Sequence, residues 1–323
     1  MIKSTNDTMS VFVLGSFVVA CSAKVSRFPR QGESLRAEAL TVEAGGKGFN
    51  LMVGARRLGA NVDGLLAIGN DVFGQFAAPA LARADLPPHM LRSCRAQTGS
   101  GIGFIDPSGE TCLAVHPGAN LLLSAADVRV AADAIKRAKL VLAQFEIGDA
   151  PITEAFALAR AAGVTTILNP SPFRMPSAEI LSNTSIMVVN AVEAAALAEG
   201  LLAEGLDVDT RAAGASAFDR VAAAVLGRGP HLFILTLGPE GALAFRPGQA
   251  SLHQPAFAVD AIDTLGAGDA FTAGFAVSLL EARPLSECLR RAAASGALAT
   301  RRLGVFDALP TRDEHDVFLA QAV

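Results

Sequence analysis

From Leu121 onward the chain repeats one pattern. Short apolar runs, Leu140–Glu146, Val164–Pro172, Ser185–Asn190 and His231–Gly238, alternate with stretches of helical length, and each run closes among polar residues. Val11–Ser16, near the start, has the same character. Runs this short and this apolar have no wet face, so they read as parallel strands covered on both sides. The pattern predicts an α/β fold: a doubly wound, mostly parallel sheet flanked by helices. In open sheets of this kind ligands bind outside the carboxyl ends of the strands, where the polar residues collect here.

The totals agree with that class. A chain of 323 residues that is 51% hydrophobic can bury a large core. No long Ser/Gly linker divides it, which predicts a single domain over 1–323. A net charge of −4 offers no broad basic surface for nucleic acid or an anionic membrane, and without Trp or Tyr there is no platform for stacking bases. No stretch is long and apolar enough to span a bilayer. Cys21, Cys94, Cys112 and Cys288 are widely spaced and read as buried thiols in a reducing compartment, the cytoplasm. Val18-Val19-Ala20-Cys21 looks a little like a lipoprotein cleavage site. The preceding Met1–Ser10, however, carries only Lys3 against Asp7, too little for a signal leader. The better reading is a disordered tail before a first buried strand. The five histidines show no metal spacing.

The most informative stretch is Asp263-Thr264-Leu265-Gly266-Ala267-Gly268-Asp269, which follows the extended apolar segment Pro255–Val259 and opens a small-residue apolar helix. Gly266 and Gly268 allow a tight turn and close backbone approach. A helix starting there points free N–H groups, with the positive end of its dipole, at an anion, phosphate above all. A carboxylate at the mouth of such a site repels phosphate unless it has a task. The task that fits Asp269 is to take a proton from an attacking hydroxyl. A second Gly-rich stretch, Gly45-Gly46-Lys47-Gly48-Phe49-Asn50, opens a helix over Leu51–Leu58. It is no Walker loop, because the spacing is wrong and no Ser/Thr follows the lysine.

Together these two stretches, in this order, resemble the signatures of the ribokinase-like (PfkB) carbohydrate kinases, nearest the ribokinase branch, over about Val11–Pro310. The resemblance implies an ATP-dependent kinase that transfers the γ-phosphate to a hydroxyl of a sugar or sugar-like compound. It makes Asp269 the base and Gly266, Ala267 and Gly268 the anion hole. It places Gly46, Lys47, Asn50 and Glu146 on the acceptor. Asn190 and Glu193, from an Asn-x-x-Glu motif, fall on the Mg²⁺–phosphate region, and Thr236 and Gly238 on the nucleotide. Asp263, with the 299–304 segment, would hold a monovalent cation, potassium. Lid insertions are implied over about 17–44 and 98–117, the second a hairpin turning at Asp106-Pro107-Ser108-Gly109. In the family the lid often serves as a homodimer interface. Taken alone, Asn-x-x-Glu is equally a helix cap, and Thr236–Gly241 equally an ordinary turn.

Two positions depart from the family pattern. Met52 stands where a small residue is usual. After Gly15-Ser16, Val18 and Ala20 replace an Asn and an Asp that grip sugar hydroxyls. An apolar wall discriminates hydroxyls poorly, so a deoxy sugar, an unusual sugar or a nucleoside-like acceptor gains over ribose. A nucleoside kinase of the same fold and a non-catalytic sugar or nucleotide sensor are the alternatives. A Rossmann dehydrogenase ranks last, since no Gly-x-Gly-x-x-Gly follows the first strand.

Overall fold

The computed structural model describes residues 9–107, 111–206 and 216–321. The strands are β1 Ser10–Ser16, β2 Val18–Lys24, β3 Ala39–Gly45, β4 Asn61–Gly69, β5 Leu91–Cys94, β6 Gly99–Ile105, β7 Thr111–His116, β8 Leu140–Gln144, β9 Thr165–Asn169, β10 Ile186–Asn190, β11 Leu232–Thr236, β12 Ala242–Phe245 and β13 Leu252–Gln254. Nine of them form one sheet in the order β13-β12-β11-β10-β9-β8-β1-β4-β5, parallel except around β12. The order reverses between β1 and β8, the switch point where a doubly wound sheet opens its crevice. The other four form a separate sheet, β3-β2-β6-β7.

The helices are α1 Lys47–Arg57, α2 Ala77–Arg83, α3 Ala125–Val130, α4 Ala132–Arg137, α5 Asp149–Ala161, α6 Ala178–Asn183, α7 Ala191–Ala203, α8 Ser216–Leu226, α9 Ala267–Leu280, α10 Leu285–Ala299 and α11 Arg312–Gln321. Alternation along the strands divides the core. Val11, Val13, Leu140, Leu142, Val188 and Ile234 face the layer of α1, α2, α9 and α10. Phe12, Leu14, Val141, Val189 and Phe233 face the layer of α3 to α8. Both faces are covered, which is why these strands read as unbroken apolar runs.

Helix α1 begins at Lys47, four residues before the sequence reading placed it. The cause is tertiary. Gly46 (φ 98°) offers no side-chain cap, but two strands supply one. The Glu146 carboxylate accepts from the Lys47 amide at 2.9 Å, and the Ser16 hydroxyl accepts from the Gly48 amide at 3.2 Å. Pro255–Val259 forms no strand and is only partly covered. Nor are all four thiols buried: Cys21 is partly exposed and Cys112 exposed, because both lie on the small sheet, while Cys94 and Cys288 are buried. Among the described residues no disulfide forms. Met52 is accommodated by Gly64, where an added Cβ would fall 2.3 Å from the Met52 methyl. The hairpin turn falls partly at Ser108–Glu110, outside the described residues, as does the tail at 1–8. No helix among the described residues is long and apolar enough to cross a membrane.

Helix α1 can approach β1 this closely only because glycines meet there. A Cβ on Gly48 would sit 2.3 Å from the Ser16 nitrogen and 2.5 Å from the Gly15 Cα. Both obstacles are backbone and cannot yield. Gly48→Ala should therefore cost about 1–3 kcal/mol of overpacking, seen as a lower denaturant midpoint without a changed slope.

Candidate active site

The crevice at the β1/β8 switch point is built by a hydrogen-bond cluster. Ser16 Oγ donates to Glu146 Oε2 at 2.5 Å and accepts from Gln144 Nε2 at 2.8 Å. The Glu146 amide in turn donates to Gln144 Oε1. Glu146 stands two residues past the end of β8, not within the strand. This cluster fixes the first turn of α1 and so aims Lys47 and Asn50 across the crevice.

They aim at Asp269. Helices α1 and α9 cross at Gly54, where an added Cβ would lie 2.8 Å from the Ala273 Cβ. One turn back along each helix stand Asn50 and Asp269, joined by a 2.8 Å bond from Asn50 Nδ2 to Asp269 Oδ2. Lys47 Nζ lies 3.9 Å from the other carboxylate oxygen. Asp269 is only 3% exposed. The Asp269 charge beside it, and then Glu146 and Glu193, hold the Lys47 ammonium above its usual range against the opposing effect of burial. Asn50 Oδ1 is buried with no partner in the protein. An orphan acceptor beside a carboxylate and an ammonium is a place for a hydroxyl donor.

The opposite end of the crevice is the start of α9. Gly266 takes a left-handed conformation (φ 78°), and an added Cβ would lie 2.5 Å from a Val305 methyl, so glycine is required twice over. The Ala267 amide donates to the Thr264 carbonyl at 3.3 Å. The Gly268 and Asp269 amides have no partner outside the helix among the described residues, and as first-turn groups they have none within it. Asp263 braces the turn: one carboxylate oxygen accepts from the Leu265 amide at 2.9 Å, the other from the Gly304 amide at 3.1 Å.

Between these groups lies a cavity of about 290 Å³ lined by Lys47, Asn190, Glu193, Thr236, Asp263, Gly266, Gly268 and Asp269. Gly46, Asn50, Glu146, Ala267 and Gly238 do not line it. Asn50 and Glu146 adjoin it through Lys47 and Asp269, whereas Gly238 belongs to the turn between β11 and β12. Asn190 and Glu193 form a reciprocal cap on α7, each side chain accepting from the other's amide. Asn169, Ser171, Thr264 and Thr272 also line the cavity. The sequence reading gave them no role; Asn169 and Ser171 were legible only as residues at a strand's carboxyl end. The cavity wall carries one cation and three carboxylates. Among the described residues no cluster of His, Cys, Asp or Glu could hold a metal on protein ligands alone.

The profile of the pfkB family carbohydrate kinases matches residues 8–312. The chain is 32% identical to ribokinase of Haemophilus influenzae over 311 residues, covering 96% of this chain and 98% of that one. It is 28% identical to deoxyribokinase of Salmonella typhi over 318 residues, covering 97% and 99%. Its fold superposes with a TM-score of 0.84 on Arabidopsis thaliana ribokinase complexed with ribose and ATP, at 26% identity, covering 96% and 98%.

Glu146→Ala strands the Lys47 amide and the Ser16 hydroxyl and should cost about 1–3 kcal/mol of stability. Glu146→Gln keeps an acceptor oxygen and should cost less than half of that. Paired denaturant titrations of the two variants check the difference.

Proposed function

The chain belongs to the pfkB family of carbohydrate kinases, and from that premise we propose that Asp269 is the base of an ATP-dependent transfer of the γ-phosphoryl group to a sugar hydroxyl. That it is an ATP-dependent sugar kinase follows from the family and its relatives. The observation that carries the residue assignment is a buried carboxylate placed between an ammonium, an amide and the unpartnered first amides of a helix.

The acceptor hydroxyl sits against Asp269, near Lys47 and the orphan Asn50 oxygen, with Gly46 and the second Glu146 oxygen at the rim. Asp269 takes the proton as the oxygen attacks. The unpartnered Gly268 and Asp269 amides at the start of α9, held in place by the turn through Gly266 and Ala267, stabilise the charge on the transferred group. Asn190, Glu193, Thr236 and Gly238 hold the nucleotide side. A polyanion entering a wall of three carboxylates and one lysine needs cations with it, so Glu193, with Asn190, would hold Mg²⁺ together with the ATP phosphates, where the ion would neutralise their charge. Asp263 and the 299–304 segment would take a potassium ion. A carboxylate oxygen has a lone pair beyond the one its amide uses, so the donor set admits it.

On the acceptor side Val18 and Ala20 lie on one face of the small sheet beside Gly99 and Gly101, their respective register partners across β2 and β6. That wall offers no side-chain donor or acceptor, which favours a deoxy sugar, as for the Salmonella relative, over a fully hydroxylated one. The small sheet acts as a lid over the sugar. On its other face Leu40, Val42 and Ile102 are exposed, and that face would pair with a second copy, giving a dimer in sedimentation that Leu40→Lys dissociates.

Asp269→Asn should lower kcat by about 10²–10⁴-fold while ATP binding, followed by calorimetry, stays intact. Near-normal turnover would refute the role. In an ATP-consumption panel of ribose, 2-deoxyribose, adenosine, inosine and pseudouridine, deoxyribose should match or exceed ribose in kcat/KM. Turnover of nucleosides alone would make the enzyme a nucleoside kinase, and no ATP use with any acceptor would make it a sensor.

A further inference from the structure

Glu43 belongs to β3 of the small sheet, paired across from Ala20, and the mechanism above gives it no role. Its carboxylate does not point into open solvent. Both oxygens would stand 3.2 Å from a Cβ added at Gly304, so the group lies flat against that glycine, and it accepts from the Val305 amide. Gly304 and Val305 both touch the anion turn. The Gly304 amide holds Asp263, whose other oxygen holds the Leu265 amide, and the Val305 side chain packs directly on Gly266. The contact path from the small sheet to the start of α9 therefore has two links.

We propose that Glu43 is a positioning residue for phosphoryl transfer: from the small sheet it clamps the 304–305 turn, and through it sets Gly266 and the amides that follow. The proposal rests on the kinase reading above. One observation weighs against a merely decorative contact: Gly304 adopts φ 81° and leaves room for the carboxylate where a side chain would block it. The same turn holds Asp263 through the Gly304 amide and rests Val305 on Gly266, so the worth of the contact lies in where it puts Val305. Because the clamp starts on the sheet that covers the acceptor, it also ties seating of that sheet to the geometry at the opposite end of the reaction.

The test is steady-state kinetics with the best acceptor of the panel. Glu43→Ala should lower kcat about tenfold with the acceptor KM changed less than twofold and the melting temperature nearly unchanged. Glu43→Gln, whose amide oxygen still accepts from the Val305 N–H, should recover most of the rate. Val305→Ala should lower kcat too, and the double variant should fall short of the product of the single effects. Unchanged kcat in Glu43→Ala overturns the proposal. So does a Glu43→Gln as slow as the alanine variant, or a loss that tracks the melting temperature alone. If the unsubstituted protein turns over no acceptor, the kinase reading has failed instead, and the two failures are told apart.

Discussion

The site depends on how closely two helices from opposite ends of the chain can approach. Gly54 on α1 meets Ala273 on α9 with no room for another carbon, and that contact sets the distance at which Asn50 and Asp269 bond one turn earlier. The second fixed point is where Gly48 of α1 rests on Gly15 and Ser16 of β1. With both in place, Lys47, Asn50 and Asp269 have no freedom to separate. Small residues supply the closeness, and close-packed interiors then hold it within a fraction of an ångström. Positioning of that order is what separates a reactive arrangement from an inert one.

The electrostatics follow from the same geometry. Glu146 gives one oxygen to the α1 terminus and Glu193 one to the α7 terminus. Each thus caps a helix while facing a crevice. Anionic caps at helix N-termini stabilise the fold, and here the Glu193 cap, with Asp263 and Asp269, also leaves the cavity wall with more carboxylates than lysines. Such a site binds a triphosphate poorly unless metal cations come with it, and it keeps Lys47 charged whatever the solution pH near neutrality. Structural and electrostatic effects of these carboxylates therefore do not compete: the cap fixes the side chain, and the fixed side chain sets the field.

How much of this was legible beforehand depended on the range of the interaction. The strand–helix rhythm and the tight turn at Gly266 are local and were readable from neighbours a few residues apart. The start of α1 was not, because its cap comes from Glu146, 99 residues away. Met52 looked like a packing departure, and only the opposing Gly64 on β4 shows how the extra volume is housed. Pro255–Val259 has the composition of an extended apolar segment, yet it takes no place in either sheet. The two exposed thiols were missed for a similar reason: burial on the small sheet depends on what covers it, which composition does not encode.

Glu43 is the extreme case. In the sequence it is the one acid of a largely apolar strand, two residues before a glycine pair. Its significance depends on a turn more than 260 residues later, whose Gly304 is itself unremarkable until Val305 is seen against Gly266. The acceptor wall shows the same logic in reverse. Ala20, its partner across the strand pair, has given up the polar group expected there, and the carboxylate on that row of the sheet stands one strand over, turned toward the anion turn instead of the sugar. Under the proposed function, a lid built this way would read the acceptor through shape and apolar contact, and would spend its one charge of that row on the transferring group's side of the crevice. Selectivity and rate would then be governed by different strands of one small sheet, so that acceptor preference could drift by substitution on β2 without disturbing the start of α9.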